Sequence, residues 1–134
     1  MLQNDIAVKL NNWLKNRNES TTLLTSAVRT TTQTSDDLLN KGALGIVVTL
    51  DVTNVNTSSI VLTIQRKDQA SGKYVTILTG AAVTTISTNT YKVYPGLTAA
   101  ANLTVSDLIG DTFKIVVTVG NANNTTYTLG YTLI

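Results

Sequence analysis

Two stretches near the end of the chain place an apolar residue at every second position: Phe113, Ile115, Val117 and Val119 in one, Tyr127, Leu129, Tyr131 and Leu133 in the other. Successive side chains of a β-strand point to opposite faces, so a period of two gives each stretch one core face and one outer face, a pattern no helix accommodates. Gly120-Asn121-Ala122-Asn123-Asn124 lies between them and reads as the turn of a hairpin. The same period recurs upstream, where Ile60, Leu62 and Ile64 alternate with Val61, Thr63 and Gln65 within residues 59–66. Leu44 to Val52, with its nearly continuous apolar start at Gly45-Ile46-Val47-Val48, reads as a central strand. Composition points the same way: Thr makes up about a fifth of the chain and is joined by many Val and Ile, side chains that suit a pleated surface better than a helix.

Turn signals divide the remainder. Leu23 to Thr34 reads as one long or broken strand, followed by turns at Asp36-Asp37 and Asn40-Lys41-Gly42. The polar run from Arg66 to Lys73 is a hairpin loop leading into a strand at Tyr74 to Leu78. Strands at Val83 to Ser87 and Tyr91 to Tyr94 are divided by Thr88-Asn89-Thr90, and Pro95-Gly96 then stops pairing, because Pro lacks the N–H donor. Leu97 to Gly110 is the longest connection and is expected to cross one end of the fold with a helical turn. Seven or eight short strands with regular turns predict an all-β fold, an antiparallel Greek-key, immunoglobulin-like β-sandwich.

The first residues obey a different period. From Asn4 to Arg17 the residues Ile6, Leu10, Trp13 and Leu14 recur at helical spacing, with Ala7 beside them and Lys9, Asn11, Asn12, Lys15 and Asn16 on other faces. Asn4 can cap the start; Asp5 in the first turn and Lys15 and Arg17 in the last match the helix dipole. A helix of about a dozen residues is marginal alone in water, so this stripe requires a surface to dock on, either its own sandwich or a partner. Ile6, Leu10, Trp13 and Leu14 are the expected partner-binding residues, with Trp13, the sole Trp, as anchor. Asn18-Glu19-Ser20-Thr21-Thr22 is polar and reads as a hinge. The expected division is therefore an N-terminal amphipathic helical arm with hinge over 1–22 and a β-sandwich domain over 23–134.

The chain contains neither His nor Cys. That removes the commonest general base, the commonest metal ligand and any thiolate chemistry, and predicts a protein that is not an enzyme and carries no cofactor and no metal. Ten basic and eight acidic residues leave a net charge of +2, and the basic residues are spread along the chain, which argues against nucleic acid as a partner. No apolar run reaches membrane-spanning length and the start lacks signal-peptide order, so neither membrane insertion nor secretion is expected. Asp107 and Asp111, like Asp36 and Asp37, are too few for a Ca²⁺ site, which wants six to eight oxygens, and read as turn residues. Arg66, Lys67 and Lys73 form either a contact for an acidic partner or a solvated hairpin tip. Tyr74, Tyr91, Tyr94, Tyr127 and Tyr131 form either a stacking platform for sugars or core packing, and the shared parity of Tyr127 and Tyr131 with Leu129 and Leu133 favours the core.

From about Ala27 onward the chain resembles a family of small virion proteins of tailed bacteriophages. The residues that carry the resemblance are Leu50-Asp51-Val52-Thr53, the run Ile64-Gln65-Arg66-Lys67-Asp68-Gln69-Ala70-Ser71-Gly72-Lys73-Tyr74, the segment Val93-Tyr94-Pro95-Gly96-Leu97-Thr98, Ala101-Asn102, Ser106-Asp107, and the ending Thr126-Tyr127-Thr128-Leu129-Gly130. The resemblance implies a capsid decoration or cement protein on the outside of the virion. Such a protein is made in the host cytoplasm, binds the major capsid protein or another virion protein, and assembles as a homo-oligomer. A neck, tail or head-fibre component, and a carbohydrate-binding or adhesin module, are the alternative functions.

Overall fold

The computed structural model describes residues 6–7 and 19–134. Of the expected arm, Ile6 and Ala7 have helical backbone; Leu10, Trp13 and Leu14 lie outside the described residues. Everything from Ser20 onward is strand and loop, folded as two stacked, mostly antiparallel sheets.

One sheet has the order β1 (Ser20–Arg29), β10 (Thr125–Leu133), β4 (Ile46–Val55), β7 (Ser87–Val93), β8 (Thr104–Val105). The other runs β2 (Gln33–Thr34), β9 (Thr112–Val119), β5 (Ile60–Lys67), β6 (Tyr74–Thr79), with β3 (Leu38–Leu39) also on β9. The alternation places the core as expected: Ile46, Val48, Leu50 and Val52 of β4 meet Ile60, Leu62 and Ile64 of β5, Phe113, Ile115 and Val117 of β9, and Tyr127 and Leu129 of β10.

The segment expected as a hairpin between the last two strands is instead an arch. β9 pairs β5 in one sheet and β10 pairs β4 in the other, so Gly120–Asn124 crosses between sheets. An immunoglobulin domain keeps its last two strands side by side in one sheet, and the present strand order departs from it at this point. The reason lies in the neighbouring arch, where Asn56–Ser59 likewise joins β4 to β5 across the sheets. The two arches are stitched together: Gly120 N–H donates to Ser59 O, Asn56 N–H to Asn124 O, and the amides of Asn121 and Asn123 both donate to Thr57 O at 3.0 Å. These long-range bonds replace those a local hairpin would have made.

Smaller departures follow local geometry. Ser20 to Thr22, expected in the hinge, are the first rungs of β1 opposite Thr132, Tyr131 and Gly130. Thr88-Asn89-Thr90 lies inside β7, paired with Asp51, Leu50 and Thr49, because Thr tolerates a strand interior as readily as a turn. Val83 makes only an isolated bridge to Ile60. The long connection holds one closed turn, in which Ala100 O accepts the N–H groups of Leu103 and Thr104, and then runs Thr104 and Val105 parallel to Lys92 and Val93. Among the described residues no helix is long and apolar enough to cross a membrane.

Candidate interaction surface

At the pole opposite the arches, the root of the arm meets a group of exposed apolar side chains. Glu19 closes β1 onto β10, its carbonyl accepting the Leu133 N–H at 2.9 Å and its carboxylate meeting Lys41 Nζ at 3.2 Å. Beside it, the N–H groups of Leu44 and Gly45 both donate to Ile134 O, and Ile134 N–H donates to Gly45 O. The loop before Leu44 is held by Asn40, whose amide donates to Ala43 O and Gly110 O, both at 2.8 Å, while its oxygen accepts Ala43 N–H. This knot joins the 40–45 loop to the 107–111 loop and fixes a shallow hollow of about 280 Å³ with Leu44 and Leu108 among its walls.

Leu44 is 48 % exposed, Leu108 52 % and Ile134 39 %. Leu44, expected as the first residue of a strand, precedes β4, which begins at Ile46. The charges nearby are already engaged. Arg66 donates to Asp107 Oδ1 at 3.1 Å and to Leu108 O, and Asp111 accepts from Gln69 at 3.3 Å. The hollow therefore presents apolar side chains beside one carboxylate, Asp111, whose partner Gln69 carries no charge.

The other residues singled out from the sequence serve the fold. The Leu108 N–H, followed by Arg66, holds the Asp107 carboxyl below the usual carboxylate range. Asp37 accepts from the Tyr74 hydroxyl and from Lys67 Nζ at 2.9 Å, and these two contacts, the hydroxyl first, lower its pKa. Asp36 takes no part in that cluster. Lys114 Nζ sits 4.0 Å over the Tyr74 ring. Lys73 is exposed at the hairpin tip, where Asp68 is also lowered, chiefly by the Ser71 hydroxyl. Tyr91 and Tyr127 are buried, and Tyr131 packs edge-on against Phe113 with ring centroids 5.7 Å apart, so the tyrosines do not form one stacking face. Among the described residues, no three acids gather where they could hold a metal ion.

No family model matches this sequence, and no curated protein is similar to it. Among solved structures, the chain is similar to the crystal structure of the SPBc2 prophage-derived protein YomS, with a TM-score of 0.51 at 12 % identity over 87 % of this chain and 93 % of that one. At that identity the likeness is one of fold.

Proposed function

We propose that this chain is a structural protein of a bacteriophage particle, a decoration protein that binds the exterior of the capsid through the pole from which its N-terminal arm departs. The observation that carries this reading is the coincidence at that pole of the arm's root at Glu19 with exposed Leu44, Leu108 and Ile134. A binding protein needs an apolar centre with a polar surround, and here the centre lies beside a segment whose own stripe, Ile6, Leu10, Trp13 and Leu14, needs covering. The fold shared with a prophage-derived protein and the virion-protein segments of the sequence support the same setting. A non-catalytic role is supported by a sequence without His or Cys and by the engagement of Asp37, Asp68 and Asp107 in local hydrogen bonds. In this reading the protein is made in the host cytoplasm, recognises the major capsid protein, and uses neither nucleic acid nor membrane.

The test is to add purified chain to particles that lack it and to image them by cryo-electron microscopy. Saturable density over the capsid lattice is the expected result. Density confined to the neck or tail would move the protein to the second reading, a connector or tail component, and no binding to any part of the particle would sink both. The adhesin reading loses its basis with the burial of Tyr91 and Tyr127.

A further inference from the structure

We infer that the crevice between the 80–86 segment and β7 binds a neutral, hydroxyl-bearing ligand, a sugar ring, with the Tyr91 hydroxyl and the Asn89 amide as its polar contacts. The inference goes beyond the functional reading above and does not depend on it. The crevice lies on the flank of the sandwich and shares no lining residue with the hollow at the pole.

The fold builds both walls. Val83 accepts from the Ile60 N–H at 3.1 Å and donates back to Ile60 O at 2.8 Å, which pins the 80–86 segment to one sheet. Leu103 O accepts the Lys92 N–H at 2.9 Å, which holds Leu103 to the edge of the other. Between them is a crevice of about 260 Å³ with Ala82, Val83, Thr84, Asn89, Tyr91 and Leu103 in its lining. Tyr91 is only 2 % exposed, yet its hydroxyl has no hydrogen-bond partner among the described residues, where a buried phenol ordinarily finds one. The ring cannot swing away, because it lies so close to Gly80 that a methyl group there would meet Cε1 at 2.7 Å. Burial raises the pKa of this phenol, so it keeps its proton and an O–H to offer. Asn89 stands two residues earlier on the same face of β7, opposite Leu50 as Tyr91 is opposite Val48. Its Nδ2 donates to Ser87 Oγ at 3.1 Å, which leaves its oxygen to accept.

A donor and an acceptor whose backbones stand about 7 Å apart along one strand, beside an apolar wall, define the chemistry of the ligand. Among the described residues no charged side chain lines the crevice, so an ion would give up its hydration for a site without a counter-charge. A purely apolar ligand would cover the Tyr91 and Asn89 groups without pairing them. A sugar ring satisfies both: its hydroxyls donate and accept, and its C–H face can lie against Leu103, which is 49 % exposed. The contact uses the Tyr91 hydroxyl at depth and not exposed ring faces, so it is no stacking platform. A free monosaccharide and the terminal residue of a glycan present this same chemistry.

Saturation-transfer NMR on the full chain tests this with methyl glucoside, methyl galactoside and N-acetylglucosamine, each titrated from about 0.1 to 10 mM, a range that brackets millimolar affinity. Saturable transfer to at least one of them is the expected result. A trisaccharide ending in the same residue that binds as tightly or more tightly assigns the site to the end of a glycan, and weaker binding assigns it to the free sugar. Tyr91→Phe, which keeps the ring beside Gly80, and independently Asn89→Ala should each weaken binding by about three- to tenfold, as loss of one hydrogen bond does, with β-type circular dichroism retained. Tyr127→Phe, which removes a hydroxyl outside the crevice, should leave binding unchanged. No saturable transfer to any of the probes, or binding that survives both Tyr91→Phe and Asn89→Ala, overturns the inference. Particle binding is scored separately: a chain that binds sugar without binding capsids refutes the decoration role alone, and one that binds capsids without binding sugar refutes the crevice alone.

Discussion

Ser58 and Thr125 share a hydrogen bond in the interior of the arch pole, their hydroxyl oxygens 2.5 Å apart and both side chains buried. Ser58 also donates to Asn124 O at 3.1 Å, which leaves Thr125 to donate to Ser58. Ser58→Ala strands the Thr125 hydroxyl and removes a partner of Asn124 O, and should cost about 1–3 kcal/mol, the penalty for an unsatisfied buried group. Thr125→Val leaves Ser58 its carbonyl partner and should cost less. Urea denaturation of the two variants checks the order; equal or negligible losses would mean that the arches are held by their backbone bonds alone.

Tyr127 is fully buried, and its hydroxyl has no hydrogen-bond partner among the described residues. Tyr127→Phe removes a desolvated polar group while keeping the ring on which the Arg29 guanidinium rests at 4.7 Å. The variant should be as stable as the parent or more stable by about 1 kcal/mol. A drop in melting temperature would reveal a partner for that hydroxyl.

Gly45 sits where a methyl group would overlap the carbonyl of Val93 and the Tyr94 ring. Gly45→Ala must displace backbone at the first rungs of β4, an overpacking cost of about 1–3 kcal/mol. Gly42, with φ +84° and open space around it, should lose stability on substitution through backbone conformation alone. Melting of both alanine variants, with a crystal structure of Gly45→Ala, separates the two causes: strand displacement belongs to Gly45 only.

Asp37, Asp68 and Asp107 all have pKa values lowered by their hydrogen-bond partners. A lowered folded-state pKa contributes stability above the unfolded value, near 4, and that contribution disappears as pH falls through the folded value. Stability should therefore hold from neutral pH to about 5 and decline below about 4. Asp37→Asn, which cannot ionise, should flatten part of that acid limb. Thermal melts from neutral to strongly acidic pH check this, and an unchanged acid limb in Asp37→Asn would show that Lys67 and Tyr74 do not stabilise the charged form.

Period-two patterning was enough to locate β4, β5, β9 and β10 and to place Ile60, Leu62, Ile64, Phe113 and Tyr127 inside, because burial on one face is written directly into alternate residues. Partner choice is not written there. Gly120–Asn124 has the composition of a hairpin turn, and its role as an arch is decided by Thr57, Ser58 and Ser59, which no local pattern connects to it. Parity is also silent on strand ends: it says which face a residue takes, not whether anything covers it there, and Leu44, just ahead of β4, is 48 % exposed. The hollow itself was illegible, since Asn40, Gly110 and Leu108 come together only through the loop knot.

The antiparallel pairing of β1 with β10 brings Glu19 and Ile134 to the same pole, and this determines how the molecule answers a pull. Tension between arm and C-terminus opens the Ser20–Thr132 rung first and then each rung in turn, like a zipper. Tension between the arm and the far arches loads the whole Ser20–Arg29 ladder in shear, so many hydrogen bonds must yield together.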